Sequence, residues 1–219
     1  MVFQDRRDAG RVLARDVAKI PDLHDAVVLG LPRGGVPVAG EVAGVLNLPL
    51  DILIVRKLGV PGQEELAMGA IASGGTVVVN WHIVHELGIP EATINAVAER
   101  ERREIARREH TYRSGRPPAQ VDGRTVILID DGLATGSTML AAVRALRLRA
   151  RRIVVAVPVA AKRTCDRLSR EADTVVCPKT PRPFFAVGSF YRDFRQTSDD
   201  EVRAILAHAC GQPDMRHVA

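Results

Sequence analysis

Cysteine, aromatic residues and long hydrophobic runs are all scarce in this chain. Its 219 residues include three cysteines, Cys165, Cys177 and Cys210, with no CxxC pair and no Cys/His spacing of a zinc site. Reduced thiols in a cytoplasmic protein are the expectation. Aromatics make up 4% of the chain, too few to build a stacking platform for single-stranded nucleic acid. The longest apolar run, 153–161, is interrupted by Pro158 and falls well short of the ~20 residues that span a bilayer. The first residues mix Arg and Asp at helical spacing without an apolar stretch, so they do not read as a signal peptide.

What is present is ordinary globular material: 46% hydrophobic and 26% charged residues, with Lys+Arg 31 against Asp+Glu 26 for a net charge of +5. A modest cationic excess without aromatic platforms favours a small phosphorylated ligand over a polynucleotide. Apolar, β-branched runs recur at 27–31, 51–55, 76–80, 125–130, 153–159 and 174–177, with helical spacing between several of them, for instance at 36–46, 138–149, 162–171 and 199–209. Short buried strands alternating with helices predict an α/β fold, a mostly parallel sheet with helices on both faces. Residues 90–113 form the longest helical candidate, dense in Glu/Arg pairs at i,i+4 and therefore expected to be mostly solvated. The stretch 81–119 reads as a helical insertion or flap beside the sheet and 178–198 as a small hood segment, within a single domain covering 1–219.

Three loops carry the chemistry. The first follows the run 126–129: Asp130-Asp131-Gly132-Leu133-Ala134-Thr135-Gly136-Ser137-Thr138. Ligands of parallel α/β sheets bind where strands end and helices begin. The amides from Leu133 to Thr138 can form an anion nest ahead of a helix N-terminus, with Thr135, Ser137 and Thr138 adding hydroxyls. The loop lacks the lysine and spacing of a Walker A motif, so it suits one compact phosphate rather than a polyphosphate chain. Two acids beside an anion pocket are explained by the vicinal hydroxyls of a sugar whose 5-phosphate fills the loop; the plainer alternative is a pair of helix-capping acids. The second loop, Gly30-Leu-Pro-Arg33-Gly34-Gly35, offers a planar guanidinium among exposed amides, which suits pyrophosphate. The third, around Arg56 and Lys57, places two cations after a strand.

The first of these stretches resembles the signature of the type I phosphoribosyltransferases, which bind phosphoribosyl pyrophosphate (PRPP). The segments around Arg33 and around Arg56-Lys57 are similar to the pyrophosphate-binding segments of the adenine-type enzymes. The resemblance covers about 26–80 and 124–187. It implies transfer of the 5-phosphoribosyl group from PRPP to a nitrogenous base, purine favoured, with release of pyrophosphate. It implies that Asp130 and Asp131 hold the ribose, that Gly132 to Thr138 hold its phosphate, and that Arg33, Gly34, Gly35, Arg56 and Lys57 hold the pyrophosphate. It also implies Mg²⁺, held mainly by PRPP and water, a mobile loop over 59–75 turning at Gly74-Gly75, and a homodimer. Lys162, Phe185 and the backbone of Val187 resemble the base-binding positions of oxopurine enzymes, whereas Ala134 matches the adenine-type enzymes, so the acceptor stays open. Lys162 also reads as a solvated helix start, and Phe184 and Phe185 as core.

His82 and His85 do not form HExxH and no third ligand is evident, so zinc is not expected. A PRPP-sensing, non-catalytic regulator that binds nucleic acid through the Arg-rich stretch 100–116 is the second reading, and a phosphosugar enzyme of another reaction class the third.

Overall fold

Strict alternation along short, largely buried strands organises the molecule. The computed structural model describes residues 2–210. Five parallel strands, β1 (Val27–Gly30), β2 (Leu50–Ile52), β6 (Thr125–Ile129), β7 (Arg152–Ala156) and β8 (Thr174–Val176), form a sheet in the order β2-β1-β6-β7-β8. Successive side chains of a strand point to opposite faces. Val28, Ile127, Ile129, Val154 and Ala156 therefore enter one core, and Val27, Leu29, Val126, Leu128, Ile153 and Val155 enter the other. The first core is closed by α1 (Arg6–Val17), α2 (Gly35–Leu46) and α7 (Asp199–Cys210), through residues such as Leu13, Val38, Val42, Val202 and Leu206. The second is closed by α5 (Ser137–Leu146) and α6 (Lys162–Leu168), through Met139, Val143, Leu146 and Leu168. The α/β class and the doubly covered parallel sheet expected from the sequence are what the structure shows.

A second, antiparallel sheet departs from expectation. β3 (Val55–Val60), β4 (Gln63–Ala72) and β5 (Val77–Val79) pair in that order. The run 51–55 thus splits between two sheets, and 77–79 does not join the parallel one. The 59–75 region is largely strand. Its main hairpin turns at Pro61-Gly62, between paired Val60 and Gln63, while Gly74 and Gly75 form the following turn at φ near +83°. The β-branched signal of β4 is weak because Gln63, Glu64 and Glu65 open it and small residues follow.

After the short α3 (Trp81–Glu86), α4 (Glu91–Arg113) is largely solvated, as expected, but carries a buried stripe on one side. Ile94, Val97, Ala98, Ile105 and Tyr112 recur at helical spacing and are buried in the same core as Leu58, Val60, Met68 and Ile71, with α4 packing on β3, β4 and α7. Its last residue is pinned to β2 by a buried ion pair. Arg113 Nε donates to Asp51 Oδ1 and Oδ2 at 2.9 and 3.1 Å, Nη1 to Glu109 at 2.8 Å, and Nη2 to the Ile52 carbonyl at 3.1 Å. Asp51 also accepts the amides of Ile52 and Ala119, each at 2.8 Å. Cys165 and Cys177 are free thiols, and the Cys210 side chain lies outside the described residues. No helix among the described residues is long and apolar enough to cross a membrane.

A buried pair is most costly when half of it is removed. Arg113→Met is expected to lower stability by about 3–5 kcal/mol in urea unfolding, and the double variant Asp51→Asn/Arg113→Met to recover part of that loss.

Candidate functional site

The candidate site lies at the carboxyl ends of β1 and β6, which are neighbours in register, Gly30 opposite Ile129. Each strand feeds directly into a loop that opens a helix. Beyond β1 comes Leu31-Pro-Arg33-Gly34, with a cis peptide between Pro32 and Arg33, and then α2. Beyond β6 comes Asp130 to Gly136, and then α5.

Both loops present backbone donors. Leu133 does not contribute to the expected nest, because its amide donates to the Val159 carbonyl at 3.0 Å and its carbonyl accepts from Ala161 at 3.0 Å. Among the described residues the amides of Ala134, Thr135 and Gly136 have no backbone partner, and neither do those of Arg33 and Gly34. The β6–α5 loop is exposed at Ala134, Thr135, Ser137 and Thr138. Its shape is held from behind, where Thr164 Oγ1 donates to the Ala134 carbonyl at 2.6 Å and Arg167 donates to that of Thr135. Gly136 sits at φ +67°, a left-handed conformation, and a Cβ there would lie 2.5 Å from Thr164 Cγ2.

The two carboxylates stand between these loops. Asp130 Oδ1 accepts the Asp131 amide at 2.8 Å. Asp131 Oδ2 accepts from Arg6 Nε of α1 at 2.8 Å, with both side chains largely buried. Each acid therefore has one oxygen engaged within the protein. Asp130 Oδ2 and Asp131 Oδ1 have no partner among the described residues. Burial, then the neighbouring charge of Asp131, pushes the Asp130 carboxyl well above the ordinary aspartate range. Asp131 is also raised by burial, with Arg6 working against the rise. The fit is tight: a Cβ on Gly34 would fall 2.1 Å from Asp131 Oδ2, so the first loop approaches the carboxylate as only glycine allows.

One cleft adjoins the pair and a second lies beside the β6–α5 loop. The first, of about 480 Å³, is lined by Arg33, Gly34, Arg6, Tyr112, Asp131 and Asp199, together with Arg107 and Arg108 of α4. In it, Arg33 Nη1 lies 3.5 Å from Asp199 Oδ1, which accepts the Tyr112 hydroxyl at 2.8 Å. The other, of about 470 Å³, opens beside Ala134 and Thr135 and is lined by Lys162, Arg182, Phe184 and Phe185. Phe185 is 84% exposed, and Lys162 is exposed and paired with Asp166. Val187 stands in a short 3-10 turn (Val187–Phe190) against Gly132, where a Cβ would lie 2.5 Å from Val187 Cγ1.

Arg56 and Lys57 line neither cleft. As neighbours on β3 they face opposite ways. Arg56 is bound to Glu101 of α4 at 2.8 Å, and Lys57 is exposed. Arg6, Tyr191 and Asp199 are site residues that sequence reasoning did not find. By sequence either Ser198 or Asp199 can cap the last helix, and the structure gives that role to Ser198, whose hydroxyl accepts the Glu201 amide at 3.1 Å. Arg6 carries no local signal at all, being 125 positions from its partner. Among the described residues no group of three or more His, Cys, Asp or Glu side chains converges as a metal site.

The sequence pattern that defines the phosphoribosyl transferase domain matches residues 7–194. Two proteins of Mycobacterium tuberculosis, from strains CDC 1551 and H37Rv, both named provisionally as phosphoribosyl transferases, are 48% identical to this chain over 209 residues. The match takes in 95% of this chain but 47% of each of theirs, so the chain spans about half the length of these curated relatives. A crystal structure of a Thermus thermophilus protein is 44% identical, covers 95% of this chain and 99% of its own, and superposes with a TM-score of 0.85. The chain therefore belongs to the phosphoribosyl transferase family.

Proposed function

We propose that the chain transfers the 5-phosphoribosyl group of PRPP to a nitrogenous base, a purine by preference, and releases pyrophosphate. The observation that carries this reading is the carboxylate pair with one spare oxygen on each acid, set between two loops of unpartnered amides. Two spare acceptors on adjacent residues match the two vicinal hydroxyls of a ribose. The amides of 134–136, with Thr135, Ser137 and Thr138, suit the compact 5-phosphate, and Arg33 with the amides of Arg33 and Gly34 suits the pyrophosphate. In the transfer, the bond from C1 of the sugar to the pyrophosphate oxygen breaks, a bond from C1 to a base nitrogen forms, and the proton lost by the base passes to water or to the released pyrophosphate. Positive charge develops on the sugar ring, where the two carboxylates oppose it, and negative charge on the leaving group, where the first loop's donors receive it. No covalent nucleophile is required of the protein.

Phe185 offers an open ring face and Lys162 a cation at the cleft beside the phosphate loop. These groups suit stacking on a base and contact with its exocyclic oxygen, and Val187 backs the loop at Gly132. A magnesium ion would arrive with the pyrophosphate and keep most of its water. When bound, it supplies charge neutralisation on the departing anion.

The regulator reading has less support. The arginines of α4 share carboxylates along the helix, Arg102 and Arg103 with Glu99 and Arg107 and Arg108 with Glu104, so the helix does not present a bare cationic face.

A panel of nucleobases with PRPP and Mg²⁺ is expected to show base-dependent pyrophosphate release, and Asp131→Asn to cut it at least about 100-fold while remaining folded. Absence of release with every base, together with salt-sensitive binding to RNA or DNA, would favour the regulator. A second expectation concerns stability. The folded Asp130 carboxyl titrates above its unfolded value, so its ionisation costs stability. That cost is fully present above the folded value and absent below the unfolded one, near pH 4. Asp130→Asn should therefore unfold at a higher temperature than the parent at pH 8, with the difference shrinking as the pH is lowered.

A further inference from the structure

The N-terminal segment reaches the site by an unexpected route. Phe3 forms a parallel bridge with Tyr191 of the hood, reinforced by Phe3 N–H donating to the Phe190 carbonyl at 2.9 Å and Arg192 N–H donating to that of Phe3 at 2.8 Å. The rings of Phe3 and Tyr191 stack at 5.4 Å, and Tyr191 continues to Phe194 at 4.9 Å. This seam delivers two groups to one residue. Arg6 binds Asp131 Oδ2 at 2.8 Å, and the Tyr191 hydroxyl donates to the Asp131 carbonyl. The guanidinium is itself fixed on three sides: Nη1 donates to the Arg195 carbonyl at 2.7 Å, its carbon lies 3.9 Å above the Phe194 ring, and Nε holds the carboxylate. A group so restrained does not sweep aside to admit a ligand, and its Nε bond leaves Asp131 Oδ1 as the oxygen that can turn to an incoming hydroxyl.

We propose that Arg6 is a positioning residue, an N-terminal clamp that holds Asp131 by Oδ2 and so presents Oδ1 to the sugar. The proposal rests on the ribose reading given above for what Asp131 then binds, but not for the clamp itself. Arg6 lies just before the first residue matched by the family pattern, so the shared motif does not contain it. The clamp ties the hood, which carries Phe185 and Val187, to the carboxylate. Base-side and sugar-side parts of the site thereby share one anchor. Arg6 also opposes the effect of burial on Asp131. The other ionisable groups around this carboxylate are Asp130 on its own strand, Tyr191 from the hood, and Arg33, Arg107, Arg108 and Asp199 across the cleft.

The test uses the full chain with Arg6→Gln and Arg6→Lys, and with Arg7→Gln as control, since Arg7 is exposed and lies 3.7 Å from Glu41 on α2. Two quantities are read: the titration midpoint of the Asp131 carboxyl by carbon-13 NMR, assigned with Asp131→Asn, and PRPP affinity by calorimetry. Arg6→Gln is expected to raise the midpoint by about one pH unit and to weaken PRPP binding about tenfold at neutral pH. Arg6→Lys, which keeps the charge and preserves the fold but loses the planar fork, should shift both by less in the same direction. Arg7→Gln should change neither. An Asp131 midpoint in both Arg6 variants equal to that of the parent overturns the clamp. So does undiminished PRPP affinity in both. A parent protein that binds no PRPP while the midpoint still moves overturns the ribose reading and leaves the clamp standing.

Discussion

Two carboxylates on adjacent residues at the end of a buried strand repel each other and lose water together, and most of what surrounds β6 serves to hold that arrangement. Asp130 is held by the amide of its neighbour, and Asp131 by a guanidinium from the far end of the chain. The glycines of the β1 loop let backbone come within contact distance of the pair. The hydroxyl of Tyr191, raised in pKa by burial and so kept protonated, fixes the peptide of Asp131 from the other side. An arrangement of this kind is costly to the fold, and strongly perturbed acids of this sort mark candidate functional sites. Its opposite is the Asp51–Arg113 pair, equally buried but saturated with donors, which fastens α4 and leaves nothing over for a ligand.

Much of this was legible in the sequence, and the reason is locality. The parallel strands announce themselves because burial on both faces demands continuous apolar, β-branched runs. The run from Asp130 to Thr138 is contiguous, so its acids, glycines and hydroxyls could be interpreted together, as could Arg33 with its glycines. What was not legible depends on partners distant along the chain. Arg6 looks like any charge on an amphipathic helix until the fold carries it to Asp131. The buried stripe of α4 was hidden by its Arg and Glu content, although Ile94, Val97, Ala98 and Ile105 keep helical spacing. Arg56 and Lys57 look like a pair on paper, but the pleat of β3 separates them. Leu133 looks like a free donor, but a bridge to Ala160 consumes its amide.

The seam between the first residues and the hood changes how the whole site is regarded. Loops that bind ligands are usually supported from beneath by the sheet. Here one wall is supported from the side, by a β-bridge and an aromatic row that run from Phe3 through Tyr191 to Phe194. The first residues of the chain are thus drawn to the candidate site, and the family pattern, which begins one residue after Arg6, stops short of the contact between Arg6 and Asp131.

Neither of the two arginines assigned to pyrophosphate from the sequence is bare, although only Arg33 lines a cleft of the site. Arg33 faces Asp199, and Arg56 is held by Glu101, which also takes Arg100. An anion arriving at either guanidinium must displace a resident carboxylate, so what it gains is the difference between two ion pairs rather than the whole of one. A singly charged visitor gains little from such an exchange. On the proposed reading a pyrophosphate, with several charges and bidentate oxygens, would outcompete the carboxylate, and the resident acid beside Arg33 would act as a filter on ligand charge.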